Sequence, residues 1–174
     1  LNGSHTGMVP VALQLGCDTV LDAFSNEDVN RFVNGMVDRE VIPMIDEDPS
    51  EVKRFADGIL ERFYNPYIRH FLKSIALNSL SKWEARNFPT VADWWSRRGL
   101  HAEAELFMAL YAPDSGFEPE DNAEHLAIIR DAWSAGGDYR DIVRRIVGSG
   151  IFVNDFETSV PGFSDKVAGY LSVI

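Results

Sequence analysis

Residues 62–89, RFYNPYIRHFLKSIALNSLSKWEARNFP, hold the pattern that most restricts what this chain can become. Asn65-Pro66 is a helix-entry signal, because proline in the first helical position gives up no useful N–H. Pro89 marks the exit, since the residue before a proline is pushed out of the α region. The interval predicts a helix of about twenty residues, roughly 30 Å at 1.5 Å per residue. Ile68, Phe71, Leu72, Ile75, Ala76, Leu80 and Trp83 recur at three- and four-residue steps and form a broad apolar face. His70, Ser74, Asn78 and Ser81 follow the same steps on the opposite side. That polar row is either a solvated surface or the wall of a site.

The remaining segments read as helices too. Met8 to Leu15 is apolar and is followed by Gly16, a common residue just past a helix end. Asp18-Thr19 caps a short helix through Phe24. Ser25 to Asp28 opens another, with Val29, Phe32, Val33, Met36, Val37, Val41 and Ile42 as its stripe and Pro43 to kink or end it. After the acidic turn at residues 46–49, a helix runs past Phe55, Ile59 and Phe63. Helices are expected over residues 90–98 and 101–111, split at Gly99. A long Asp-, Gly- and Pro-rich loop follows, and Asp121 or Asn122 then caps a helix through Trp133. Residues 139–147 and 164–173 complete the set. Only residues 150–156 hint at a strand, so the expected class is all-α, one domain over residues 1–174.

Composition removes several functions. The chain has 174 residues, 45% of them apolar, enough for a real core. Its formal net charge of −11 argues against nucleic acid as a partner, since phosphate binding needs clustered Lys and Arg. Cys17 is the single cysteine, which excludes an internal disulfide and suits a reducing cytoplasm. No apolar run is long enough to span a membrane, and no basic n-region of a signal peptide precedes one. The four histidines, His5, His70, His101 and His125, have no partner His or Cys at metal-ligand spacing. No glycine-rich loop follows a strand, so no dinucleotide or Walker phosphate motif is present, and no nucleophile elbow is visible. Asn2 and His5, three residues apart, share a face at a helix start, and both can hydrogen-bond a sugar hydroxyl or carbonyl. Gly3-Ser4-His5 also has the look of a vector remnant, and the abrupt start at Leu1 suits either that or a domain cut from a longer chain.

Three segments carry a resemblance: LNGSHTGMVPVA at the start, RFYNPYIRHFLKSIALNSLSK in the middle, and SVPGF near the end. Together they resemble the C-terminal domain of the polyol-specific long-chain dehydrogenases. The tagaturonate reductase (altronate oxidoreductase) branch is the nearest, beside mannitol dehydrogenase and fructuronate reductase. The resemblance runs over essentially the whole chain, more loosely over residues 94–150. It implies a multi-helix fold like the C-terminal domain of 6-phosphogluconate dehydrogenase. An N-terminal Rossmann domain, outside this chain, would bind NAD, and the helical domain would close over a small-molecule sugar acid.

The resemblance also implies roles for residues. The family's Lys-x-x-x-x-Asn-x-x-His pattern is matched by Asn2 and His5 as catalytic residues, with the general-base lysine lying before Leu1. Asn2 would polarise the developing oxyanion and His5 would orient the sugar acid. A substrate carboxylate needs cationic or N–H donors. Arg69, Lys73 and Lys82, with His70 and Asn78, are therefore the substrate-binding candidates. Arg62 and Asn65 match the family block as well, but helix entry and capping account for them. Trp94 and Trp95 are expected to pack rather than to stack on a sugar. Without the lysine and the cofactor domain this piece is expected to be inactive by itself. The competing readings are a mannitol dehydrogenase or fructuronate reductase domain, or a non-enzymatic helical interaction module.

Overall fold

The computed structural model describes residues 2–97 and 111–171. Among them the regular elements are all helical, and two extended segments meet in one isolated bridge between Thr19 and Phe71. The all-α class holds. The helix expected over residues 101–111 and the side chains of Trp94 and Trp95 lie outside the described residues.

Helix α1, Asn2–Gln14, starts six residues before the expected Met8 and carries Pro10 inside it. It ends as its glycine predicts. Gly16 has φ +75°, its N–H donates to Leu13, and Cys17 N–H reaches back to Ala12, the paired bonds of a Schellman motif. Thr19 and Asp22 exchange hydrogen bonds in a capping box that opens α2, Val20–Ser25. Asn26 caps α3, Glu27–Met36, which runs on through a π turn at Val37–Val41 and a 3-10 turn at Ile42–Met44, where Pro43 ends it. Asp48 caps α4, Pro49–Leu60, and a 3-10 turn, Glu61–Tyr64, follows.

The long helix expected next does not form. Residues 65–71 are non-helical, and two short helices stand in its place: α5, Leu72–Ala76, and α6, Ser79–Arg86. Asn78 separates them in the left-handed region, φ 53°, where asparagine is tolerated better than most residues. The break is held from elsewhere in the chain. Asp121 accepts the Leu80 N–H at 2.9 Å, and the Glu120 carbonyl accepts the Asn78 N–H at 2.9 Å. The supposed polar row is therefore no row: His70 precedes α5 and Asn78 lies between helices. Ile68 and Phe71, assigned above to the core face, are exposed. Pro89 also acts differently, in the first turn of α7, Phe88–Arg97, where its missing N–H costs nothing.

Asn122 caps α8, Ala123–Ser134, and Asp138 caps α9, Tyr139–Val147. Residues 150–155 are turn, bend and irregular backbone, not the hinted strand, and lead to α10, Phe156–Ser159, then α11, Phe163–Leu171. Two apolar clusters result. Helices α1 to α5 close one around Met8, Val33, Phe63 and Leu72. Helices α6 to α11 close the other around Trp83, Phe156 and Phe163, and Leu13 and Phe117 touch both. No helix among the described residues is long and apolar enough to cross a membrane.

Glu157 ties down the start of α11. Its carboxylate accepts N–H groups from Ser164 at 2.8 Å and Gly162 at 3.2 Å. Burial pushes this carboxyl up, but the hydrogen bonds from Ser164 and Gly162, with Arg144 nearby, outweigh it and hold it below the ordinary 4.5. Glu157→Gln is expected to cost about 1 kcal/mol at pH 7, the difference between charged and neutral acceptors, lessened by exposure. A folded pKa below the unfolded one stabilises above the unfolded value and is lost as pH falls through the folded value. The gap between wild type and variant, read by urea denaturation, should close below the ordinary glutamate range. A gap that persists there would mean that packing, not charge, is responsible.

Candidate functional site

The first turn of α1 is fastened to α6. Asn87 Nδ2 donates to the Gly3 carbonyl at 3.2 Å, and Arg86 Nη1 to the Thr6 hydroxyl at 3.2 Å. Gly3 suits this approach, since a Cβ there would stand 3.4 Å from the Arg86 carbonyl oxygen. With that face of α1 against α6, His5 looks elsewhere. Its imidazole stacks on Phe63, ring centroids 4.2 Å apart and planes 21° from parallel. Phe63 is buried and meets Phe24 edge-on at 4.9 Å, so the surface under His5 is rigid.

The extended segment brings the second imidazole. Asn65 Oδ1 accepts the Tyr67 N–H at 2.9 Å, an Asx turn that sets the direction after Pro66. His70 C=O then accepts the Val20 N–H, and Leu72 N–H donates to Asp18, both at 2.9 Å. Pinned there, the His70 ring lies 5.4 Å from the His5 ring, tilted by 59°. A cavity of about 270 Å³ opens between these elements. His5, Arg62, Asn65 and His70 form its polar wall, and Val20, Leu21, Phe63 and Ile68 its apolar one. That volume is just under the roughly 300–1,000 Å³ usual for drug-sized ligands. N–H donors on one side and hydrocarbon on the other suit a small oxygen-rich molecule.

Similarity to known proteins shows the family. Residues 1–139 match the model of the mannitol dehydrogenase C-terminal domain family. The chain belongs to that family. It is 35% identical over 178 residues to an altronate oxidoreductase of Bacillus subtilis (strain 168), covering all of this chain and 37% of the relative. Identity is 33% over 188 residues with an altronate oxidoreductase of Cronobacter sakazakii, and 35% over 193 with one of Escherichia coli O1:K1 / APEC, each covering 38% of the relative. The chain thus spans well under half the length of the curated relatives it matches.

In this member of the family the expected site residues do not all converge. His5 and His70 do. Asn2 is exposed at the start of α1, one turn before His5. Arg69 holds its guanidinium 5.2 Å from the centre of the Phe71 ring and does not line the His5 cavity. Lys73 borders a different hollow, with Asp18 and Glu118. Asn78 serves the helix break described above. Lys82 donates to the Ile75 carbonyl at 3.0 Å, bridging α6 to α5. Partial burial, then the neighbouring Arg86, draw its pKa down, while Asp121 pulls the other way.

Arg62 and Asn65, set aside on the sequence as entry and capping residues, are the ones that join His5 and His70. Their place in the matched block was the available signal. The mistaken long helix hid it by making a turn look like a cap. Among the described residues no cluster of three His, Cys, Asp or Glu is placed to hold a metal ion.

Proposed function

We propose that this chain is the substrate domain of an NAD-dependent oxidoreductase that interconverts D-altronate and D-tagaturonate in the cytoplasm. The observation that carries it is the meeting of His5 and His70, from segments 65 positions apart, at one donor-lined cavity. The altronate oxidoreductases among its relatives support altronate as one member of the pair, with tagaturonate as the other in this reading. In this reading His5 orients the sugar acid, Asn2 polarises the reacting oxygen, and the rigid Phe63 surface keeps His5 in position.

The described residues contain no strand followed by a glycine-rich loop and do not fit a dinucleotide. In this reading NAD, which exchanges the hydride, is held by the N-terminal Rossmann part of the longer parent, together with the general-base lysine. The piece alone is expected to be inactive. The surface beside the cavity supports a missing partner there. Tyr67 is 93% exposed and Ile68 62%, apolar area that a covering domain would bury.

An NADH-oxidation assay on the full-length parent tests the reading, with tagaturonate, fructuronate and fructose offered side by side. Tagaturonate is expected to be turned over and the other two poorly. Preference for fructose moves the domain to the mannitol branch, and preference for fructuronate to the mannonate one. No turnover of any of them leaves a helical interaction module.

A further inference from the structure

Building on the sugar-acid reading above, we infer that the Arg62–His70 end of the cavity is the subsite for the substrate's carboxylate, distinct from the His5 end that faces the reacting oxygen. The charge pattern points there first. The chain carries a net charge of −11, yet no acidic side chain lines this cavity. Its polar wall consists of Arg62, His70, His5 and Asn65, all of which offer N–H donors.

Arg62 stands apart from several other arginines. Arg31 pairs with Asp28, Arg54 with Glu51, and Arg140 and Arg144 with Asp165. No carboxylate among the described residues pairs with Arg62. A planar guanidinium fork matches a carboxylate in two parallel hydrogen bonds, and apolar walls strengthen that attraction. The backbone here is also set in advance. Arg62 sits in the 3-10 turn after α4, Asn65 closes the turn onto Tyr67, and His70 is bonded to Val20. The backbone is thus fixed, and the substrate has only the exposed Arg62 and His70 side chains left to order.

The cations expected in this role are committed elsewhere, Arg69 against Phe71, Lys73 at a separate hollow, and Lys82 to the Ile75 carbonyl. Imidazole centres 5.4 Å apart let His5 and His70 hold different atoms of one six-carbon acid.

The test uses the full-length parent with Arg62→Met, His70→Asn and Arg62→Lys, assayed with tagaturonate, with fructose as a neutral competitor. Arg62→Met and His70→Asn should each raise the tagaturonate KM about tenfold or more, as expected for losing a charge-assisted hydrogen bond. The kcat and the fructose inhibition constant should stay near wild type. Arg62→Lys should recover part of the loss, because it restores the charge without the fork. A KM unchanged in both loss variants overturns the subsite, and so does a parallel weakening of fructose inhibition. The substrate reading survives either result, since the wild type still turns over tagaturonate. A wild type inactive on tagaturonate overturns the reading and the subsite together.

Discussion

Alanine at Trp83 is expected to destabilise the domain by about 3–5 kcal/mol, the range seen when a large buried aromatic is removed. Trp83 is 0% exposed, on α6 at the centre of the second apolar cluster. Its indole meets Phe156 at 5.7 Å and Phe88 at 6.0 Å, so a neighbouring segment and a distant one both rest on it. Those rings come from α7 and α10, and each has further partners: Phe88 stacks on Phe156 at 4.2 Å, and Phe156 meets Phe163 at 5.2 Å. A cavity there cannot be filled by one neighbour without disturbing the next. For a domain whose whole stability is about 5–15 kcal/mol, the loss approaches the total. Trp83→Phe should cost less, because it keeps a ring in the stack. Urea or guanidinium denaturation measures both, a lower midpoint with unchanged slope being the signature. A Trp83→Ala loss below about 1 kcal/mol would mean that the aromatic cluster is not the core of this half.

Alanine at His5 in the full-length parent should lower kcat/KM for the preferred sugar acid by about 100-fold, the usual cost of losing precise placement at a reacting centre. His5 is half-buried, and its ring lies on Phe63, so some stability is lost with it. His5→Phe separates the two effects. Phenylalanine keeps the stack on Phe63 and removes the N–H donors. If the role is orientation by hydrogen bonding, His5→Phe is as slow as His5→Ala while its melting temperature stays near wild type. If His5 only packs, His5→Phe retains full turnover, and the site must be sought away from this cavity.

Much of the helical pattern was legible because its causes are local. Thr19, Asn26, Asp48, Asn122 and Asp138 cap helices through amides two or three residues ahead, a range that sequence displays directly. Gly16 ends α1 for an equally local reason, its positive φ. The site was legible only in part. His5 was singled out at a helix start that does form, whereas His70 was placed on a helix face that does not, and Arg62, the cation lining their cavity, was read as a helix-entry residue.

By itself, then, the sequence determined that this chain is all helical, where most helices begin and end, and which family its segments resemble. Tertiary structure alone decided that the central stretch breaks at Asn78 and that Arg62, Asn65 and His70 turn toward His5. The reason is where the hydrogen bonds go. Periodicity along residues 66–88 rewards one continuous helix, in which each amide finds its partner four residues back. Here Asp121 takes the Leu80 amide from 41 residues away, and His70 offers its carbonyl to Val20 across a gap of 50 positions. Partners that distant satisfy the same backbone groups without a helix, and nothing in the spacing of the central stretch announces them.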